Sequence, residues 1–238
     1  MAKPLLQVSN LNAWYGESHI LHGVNMTVGE GETITILGRN GVGKTTTLRT
    51  IMGIIRERKG EIRFSGKDMA NVPLHRTAHA GLGFVPEERG IFSTLTVEEN
   101  LMLPPVVADG GRERAMPLDE IYALFPNLHE RRFSPGTKLS GGEQQMLAIA
   151  RILRTGVKLL ILDEPTEGLA PVIVQRIGEV LKTLKERGMT VLMVEQNFRF
   201  ASRVADRFYL MDHGKMVADF PVSELPQRMD TLHKVLGV

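Results

Sequence analysis

The feature that most restricts the possible folds is a glycine-rich stretch at residues 38–45, which reads GRNGVGKT. It follows a short apolar, β-rich run at residues 33–38 and precedes a helical pattern from Lys44 to Met52. The stretch fits the pattern G-x-x-x-x-G-K-S/T, in which a strand, a glycine-rich loop and a helix N-terminus together bind phosphate groups. The sequence therefore predicts a phosphate site at the end of a buried strand.

Each residue type in this stretch has a physical reason to be there. Glycines at positions 38, 41 and 43 allow backbone angles that turn successive N–H groups inward on a phosphate. Lys44 is long enough to reach the β- and γ-phosphates of a nucleotide, and the Thr45 hydroxyl is suited to bind Mg2+. The predicted nucleotide-binding residues in this segment are Gly38, Arg39, Asn40, Gly41, Val42, Gly43, Lys44, Thr45 and Thr46.

The last third of the chain alternates apolar runs with helical patterns. KLLILDEP and MTVLMVEQ indicate buried strands, and the segment between them is amphipathic and ends at Gly188. Its apolar positions form one stripe, made of Ile173, Ile177, Val180, Leu181 and Leu184. Strands buried on both faces and separated by helices predict a largely parallel sheet with helices on each side. Ligands of such sheets bind at the carboxyl ends of the strands, where Glu195, Gln196 and Asn197 fall.

The other two thirds have different patterns. LLQVSNLNAWY, ILHGVNMTV and GEIRFSGKDM are typical of antiparallel strands and turns. Residues 90–157 carry little β signal; Thr96 and Glu99 have the spacing of a capping box, and the DGG passage predicts an exposed loop. We therefore expect one unit over 1–238, in which a helical insertion at 90–157 separates 1–89 from 158–238.

Two carboxylates, Asp163 and Glu164, end the predicted strand LLILDEP. Two acids in a loop are common and need no function of their own. Beside a phosphate loop, however, Asp163 is suited to hold Mg2+ through its water shell, and Glu164 to orient or deprotonate the attacking water. Phosphoryl transfer depends mainly on positioning and charge stabilisation, so these few groups suffice.

A second anion-binding surface is predicted at LSGGEQQ. Ser140 and Glu143 again have capping-box spacing, and the residues that follow are helical, so Gly141 and Gly142 would lie at a bare helix N-terminus. An ordinary capped helix explains the serine and the glutamate but not both glycines. Two phosphate-binding surfaces on one chain suggest that residues Leu139 to Glu143 complete the site of another subunit.

Composition excludes several other classes of protein. Lys and Arg number 29 against 27 Asp and Glu, which argues against a protein that coats nucleic acid or an anionic membrane. Cysteine is absent, which excludes disulfides and thiolate chemistry. No stretch of about 18 apolar residues occurs, and the start has no signal-peptide core. We expect an intracellular protein without direct membrane insertion that can sit on a membrane protein.

GRNGVGKT, LSGGE and LLILDEP, in this order, resemble the nucleotide-binding subunit of ABC transporters over essentially the whole chain. The resemblance implies an α/β fold: a P-loop NTPase (RecA-like) core with an antiparallel β subdomain and an inserted helical subdomain. It implies head-to-tail dimers that hold two ATP molecules between the loop of one subunit and the signature residues of the other. By the same analogy Tyr15 would stack on adenine, although Tyr15 or Trp14 alone would more simply be a packing aromatic.

Two positions depart from the usual pattern of this family. Glu87, in GFVPEERGIF, stands where most members have a glutamine, and Gln196, in VEQN, where most have a switch histidine. Gln196 donates a hydrogen bond toward a γ-phosphate through its amide but cannot become cationic. Glu87 is a stronger Mg2+ ligand than an amide but gives up the donor. We therefore expect Gln196 beside Glu164 as a catalytic residue, and Glu87 beside Thr45 and Asp163 at the metal.

One branch of the family, the ATP-binding subunits of importers for branched-chain and other hydrophobic amino acids, is resembled by five segments together: VPEERGIF, LFPNLHERR, LSGGEQQMLAIAR, EPTEGLAP and VEQN. This chain is similar to the shorter of the two such subunits. The resemblance implies Mg2+ as cofactor, a second ATP-binding subunit in a homo- or heterodimer, two membrane-spanning permease subunits and, indirectly, a solute-binding protein. It implies a peripheral position on the cytoplasmic face of the cell membrane.

Three alternatives remain open from the sequence. The same subunit could power an importer of urea or short amides, because an ATP-driven subunit never contacts the transported solute. It could drive export of a lipid or polysaccharide, which VPEERGIF and VEQN disfavour. A soluble ATPase without a transport role is the third, but such proteins usually carry two cassettes or long coiled coils, and neither is seen.

Overall fold

The computed structural model describes residues 4–70, 72–106 and 111–237. The strands are β1 (Pro4–Tyr15), β2 (Ser18–Gly29), β3 (Thr33–Leu37), β4 (Arg58–Phe64), β5 (Lys67–Asp68), β6 (Leu82–Val85), β7 (Leu159–Asp163), β8 (Thr190–Glu195), β9 (Arg207–Asp212) and β10 (Lys215–Pro221). The α-helices are α1 (Lys44–Ile51), α2 (Leu74–Ala80), α3 (Val97–Met102), α4 (Gly111–Arg114), α5 (Leu118–Leu124), α6 (Pro126–Glu130), α7 (Gly141–Leu153), α8 (Pro171–Glu186), α9 (Phe198–Ala201) and α10 (Leu225–Leu236).

A six-stranded sheet positions the site. Its order is β10-β9-β3-β8-β7-β6, and neighbouring strands are parallel except at the edge, where β10 runs antiparallel to β9. Strands β3, β7 and β8 are buried along their whole length, as their continuous apolar runs predict. Leu37 pairs with Glu195, and Asp163 with Val194, so the carboxyl ends of these three strands meet at one edge.

A smaller antiparallel sheet contains the N-terminal strands in the order β2-β1-β4-β5. Its strands lie in the three segments predicted to form antiparallel strands and turns. Strand β1 ends at Tyr15 and β2 begins at Ser18, so a tight turn at Gly16, whose φ of +55° favours glycine, joins them. The mixed α/β class expected from the sequence is confirmed.

In the described residues between β6 and β7 there are five α-helices, α3 to α7, and a short 3-10 helix at Gly136–Lys138, and the described part of residues 90–157 contains no strand. The predicted capping box of α3 is present: the Glu99 amide donates to Thr96 Oγ1 at 3.2 Å, and the Thr96 amide donates to Glu99 Oε2 at 2.8 Å. Two residues of the DGG passage, 109–110, lie outside the described residues. Its third residue, Gly111, is buried and begins α4 rather than an exposed loop, because its backbone packs against Gly156.

The two faces of the parallel sheet bury separate apolar clusters. In β7, Leu159 and Ile161 face the cluster shared with the antiparallel sheet and α1, whereas Leu160 and Leu162 face the cluster shared with α3 and α5–α8. The predicted stripe of α8 packs into the second cluster, where four of its positions are buried and Ile173 is half-buried. Within the described ranges, no helix has both the length and the apolar content needed to cross a bilayer.

Asn100 fixes the loop that follows β6. Its side chain is fully buried; Oδ1 accepts from the Phe92 amide at 2.8 Å, and Nδ2 donates to the carbonyls of Phe92 (2.9 Å), Leu95 (3.3 Å) and Thr96 (2.9 Å). We expect Asn100→Ala to lower the free energy of unfolding by about 2 kcal/mol. It leaves the Phe92 amide without its acceptor and removes the side-chain donor from three carbonyls, each of which keeps one backbone donor. Urea unfolding followed by circular dichroism measures the loss.

Asn12→Ala is the matched control, since the Asn12 amide makes its shortest hydrogen bond, 2.9 Å to the Asn10 carbonyl, at an exposed position. A change of about 0.5 kcal/mol or less is expected there. A similar small change for Asn100→Ala would mean that water satisfies the backbone of this loop.

Candidate nucleotide site

The phosphate loop joins β3 to α1, and glycine is required at its positions for two different structural reasons. Gly41 and Gly43 have φ of +80° and +109°, which favour glycine. Gly38 does not: a Cβ there would lie 2.6 Å from the Met211 carbonyl oxygen and 2.8 Å from Val42 Cγ2. The expectation that all three glycines serve unusual backbone angles was therefore wrong for Gly38, which is required by close packing.

A hairpin that the sequence analysis did not identify supports this loop. Strands β9 and β10 are joined at His213 and Gly214, with φ of +43° and +73°. The Gly214 amide donates to the Val42 carbonyl at 2.8 Å, and the Gly214 carbonyl accepts from the His22 amide at 2.9 Å. In the sequence, the turn is indicated by His213 and Gly214, which stand between two apolar runs.

Lys44 is held inside the loop. Its ammonium donates to the carbonyls of Gly38 at 2.9 Å and Arg39 at 3.0 Å, and it pairs with Glu164 Oε1 at 3.0 Å. The side chains of Lys44 and Glu164 are only 3% and 9% exposed, so the ion pair is largely shielded from water. To contact a phosphate, Lys44 has to exchange at least part of this ion pair.

Thr45 and Asp163 form a pair suited to Mg2+. The Thr45 hydroxyl donates to Asp163 Oδ1 at 2.8 Å, whereas Asp163 Oδ2 is buried without a partner. Burial raises the pKa of Asp163 to about 6, and the Thr45 hydrogen bond opposes that shift. A buried carboxylate oxygen lacking a donor, beside a hydroxyl, fits a hard cation with oxygen ligands.

Glu87 is exposed on the loop after β6, and its negative charge contributes to the raised pKa of Asp163. The residues that would hold Mg2+ are therefore Thr45 and Asp163, with Glu87 nearby. When bound, the ion would supply positive charge for the phosphate oxygens.

Glu164 lies on a strained turn after β7. Its φ is +45°, which is unfavourable for a glutamate, and its amide donates to the Val194 carbonyl at 3.1 Å. Glu167, which the sequence analysis did not select, closes the turn: its amide donates to the Glu164 carbonyl at 3.1 Å. A hydrogen bond between their side chains, together with burial, raises the pKa of Glu167 to about 7. In the sequence, Glu167 could have been selected because it is an acidic residue three positions after Glu164 at the end of a predicted strand.

Trp14 and Tyr15, the two aromatic residues considered for stacking on a nucleotide base, differ in their contacts. The Trp14 ring stacks on His19 with centroids 4.4 Å apart, and Lys59 Nζ lies 5.7 Å from the Trp14 ring centroid. Tyr15 is 49% exposed and makes no stacking or cation–π contact with any residue that the structure describes. Of the two, Tyr15 is therefore the ring that is available to stack on a base. That it stacks on adenine remains a prediction.

The signature residues lie at the start of α7. The Glu143 amide donates to Ser140 Oγ at 3.3 Å, and the Ser140 amide donates to Glu143 Oε2 at 2.8 Å, which is the predicted capping box. Ser140 is exposed, whereas Leu139 is buried. In the described part of the chain, no hydrogen bond or ion pair joins residues 139–143 to residues 38–46.

Both signature glycines have packing neighbours that the sequence did not reveal. A Cβ on Gly142 would lie 2.7 Å from Ile173 Cγ2, and one on Gly141 would lie 3.0 Å from the Arg89 guanidinium. Gly142 is therefore required by the contact between α7 and α8, independently of any anion. The prediction that an ordinary capped helix leaves both glycines unexplained is therefore wrong for Gly142.

The loop that carries Glu87 links the phosphate-loop helix to the signature helix. Glu88 pairs with Arg49 of α1 at 3.1 Å, and Arg89 donates to Gln144 of α7 at 3.1 Å. Arg151 of α7 also donates to the Gly90 carbonyl at 2.7 Å. These contacts join α1 to α7 through one loop, although no hydrogen bond or ion pair among the described residues joins the two predicted anion-binding segments directly.

The three polar residues at the carboxyl end of β8, Glu195 to Asn197, have separate roles. Gln196 is exposed at the carboxyl edge of the sheet, and Asn197 Oδ1 accepts from the Phe200 amide at 3.1 Å and so caps α9. Glu195 is buried instead. Of these three, Gln196 is the exposed residue whose side chain makes no hydrogen bond within the described residues, so it is available to a ligand.

The family model described as ABC transporter matches residues 21–167, more than half of the chain. The chain belongs to this family. It is 41% identical over 213 residues to the high-affinity branched-chain amino acid transport ATP-binding protein BraG of Pseudomonas aeruginosa, covering 90% of this chain and 91% of that relative. It is 36% identical over 219 residues to the lipopolysaccharide export system ATP-binding protein LptB of Haemophilus influenzae, covering 90% and 89%.

A solved nucleotide-free ATP-binding cassette from an ABC transporter superposes with a TM-score of 0.84 at 25% identity, and the match covers 99% of both chains. The chain therefore has the P-loop NTPase fold of ABC cassettes, and it is an ATPase subunit of a transporter. ABC cassettes act as dimers together with membrane components.

Proposed function

We propose that this chain is the ATP-binding subunit that powers an importer of branched-chain amino acids. The observation that carries the proposal is the 41% identity to BraG over 90% of the chain. VPEERGIF and VEQN, which resemble the same branch, support it. The matches to LptB at 36% identity make lipopolysaccharide export the second candidate.

Closure of two subunits over ATP is the proposed power step. In one chain the phosphate loop and residues 139–143 share no hydrogen bond or ion pair among the described residues, yet both offer N–H groups to an anion. In a head-to-tail pair of subunits, each triphosphate would contact the phosphate loop of one subunit and residues 139–143 of the other. Loss of the γ-phosphate then removes the differential affinity that holds the closed state.

Within that closed site, each proposed catalytic group has a defined task. Glu164 holds the proton-accepting carboxylate toward the attacking water, and Lys44, released from Glu164, stabilises negative charge on the phosphates. Gln196 donates an amide hydrogen toward the γ-phosphate, and Tyr15 stacks on the base. Thr45 and Asp163, with Glu87 nearby, would hold Mg2+.

The proposed docking surface for the membrane-spanning subunits lies on the loop after β6 and on α3. Phe92, Met102 and Leu103 are 49%, 57% and 51% exposed there. Large apolar side chains this exposed, on the loop and on the helix that follows it, favour a partner protein. Because Arg89 and Arg151 tie this loop to α7, movement of the signature helix would be transmitted to the partner on the cytoplasmic face of the membrane.

Reconstitution tests the transported solute. The chain is combined in proteoliposomes with its membrane-spanning subunits, its second ATP-binding subunit and the solute-binding protein, and ATP hydrolysis is measured. We expect leucine, isoleucine or valine to stimulate turnover at least about fivefold, whereas urea and acetamide leave it unchanged. Stimulation by urea or acetamide alone would assign the importer to those solutes, and stimulation by lipopolysaccharide alone would favour export.

A further inference from the structure

Glu195 ends β8 and is a buried carboxyl group that no catalytic task above uses. It is 2% exposed, and burial raises its pKa to about 7. A buried carboxylate is costly unless several donors satisfy it, so its contacts indicate what it does.

The donors to Glu195 come from two different loops. Glu195 Oε1 accepts from the Thr166 hydroxyl at 2.7 Å and from the Thr166 amide at 3.2 Å. Glu195 Oε2 accepts from the Asn197 amide at 3.2 Å. One side chain therefore joins the turn after β7 to the loop after β8, and Thr166 itself is only 6% exposed.

The turn after β7 needs such support. Glu164 has a φ of +45°, and a residue in this strained region persists only when its surroundings fix it. The Val194 carbonyl fixes the Glu164 amide at one end of the turn, and Glu195 fixes Thr166 two residues later. The last two residues of β8 thus hold both ends of the segment that carries Glu164.

We propose that Glu195 is a positioning residue for ATP hydrolysis: its carboxylate holds the turn that carries Glu164 and the loop that carries Gln196. The inference rests on the role proposed for Glu164. The charged groups that act on Glu195 are Glu164 and Glu167 from the turn, with Lys44 of α1 paired to Glu164. A displacement of the order of 1 Å in a catalytic group is enough to lower turnover about a hundredfold.

Turnover and ATP affinity of the full chain separate positioning from folding. We expect Glu195→Ala to lower kcat about 30-fold and Glu195→Gln about tenfold, while the Kd for ATP changes less than about twofold. Thr166→Val, which removes only the hydroxyl donor, is expected to lower kcat about fivefold, and Thr166→Ser, which keeps it, to stay within about twofold.

Glu99→Gln is the matched control, because Glu99 also accepts from a threonine hydroxyl (2.9 Å) and a backbone amide (2.8 Å), but in the cap of α3. Its kcat is expected to equal that of the unmodified chain. Thermal unfolding of every variant confirms that the fold is kept.

The deciding measurement adds Glu195→Ala to a Glu164→Gln chain. If Glu195 acts through Glu164, the second substitution lowers the residual kcat less than about twofold. The same 30-fold loss in both backgrounds, or losses of kcat that follow losses of ATP affinity, would overturn the proposal. A nearly inactive Glu164→Gln chain beside a fully active Glu195→Ala chain would reject the positioning role alone, whereas an active Glu164→Gln chain would reject the proposed catalytic role as well.

Discussion

Glu164→Gln is expected to lower ATP turnover about 1,000-fold, because the amide cannot accept the proton of the attacking water. Binding of ATP is expected to persist, since glutamine has the same shape and the phosphate loop is unchanged. The affinity for ATP should even rise slightly, because Lys44 loses the 3.0 Å ion pair that it must exchange for phosphate. Steady-state phosphate release and equilibrium titration with a fluorescent ATP analogue measure the two quantities.

Glu167→Gln is the informative comparison for this prediction. Glu167 shares a hydrogen bond with Glu164, and its pKa is raised to about 7, so this neighbouring carboxyl on the same turn can exchange a proton near neutral pH. We expect its substitution to lower turnover less than about tenfold. Near-normal turnover of Glu164→Gln, together with an inactive Glu167→Gln, would transfer the catalytic role to Glu167.

Features determined by neighbouring residues were predictable from the sequence. The capping boxes at Thr96 and Ser140 follow from a spacing of three residues, and both are present. The buried strands β3, β7 and β8 follow from continuous apolar runs. The placement of Asp163 beside Thr45 followed from the rule that parallel strands present ligands at their carboxyl ends.

Apart from the Thr45–Asp163 pair, features determined by distant contacts were not predictable. Gly38 and Gly142 are required by Met211 and Ile173, which are remote in the chain. Glu195 accepts a hydrogen bond from Thr166, which is 29 residues away in the chain. The sequence shows only three adjacent polar residues at this point and does not indicate which of them is buried. The β9–β10 turn at Gly214 supports Val42 only because the sheet places β9 beside β3.

Ser140→Asp is expected to lower turnover about 100-fold without weakening ATP binding by the single chain. Aspartate is as good a helix cap as serine, so α7 should begin at the same residue. The new carboxylate, however, would face the partner's triphosphate, and repulsion between like charges in a closed site costs several kcal/mol. Among the described residues, no hydrogen bond or ion pair joins Ser140 to the phosphate loop of the same chain. The affinity of that loop for ATP is therefore expected to be retained.

Thr96→Asp is the matched substitution, since Thr96 occupies the same cap position in an equivalent box at α3. Its turnover is expected to stay within about twofold of the unmodified chain. Light scattering in the Glu164→Gln background should then detect an ATP-dependent dimer with Thr96→Asp and none with Ser140→Asp. Normal turnover and an intact dimer with Ser140→Asp would mean that α7 does not face a second subunit's nucleotide, because no closed arrangement would tolerate a carboxylate against a triphosphate.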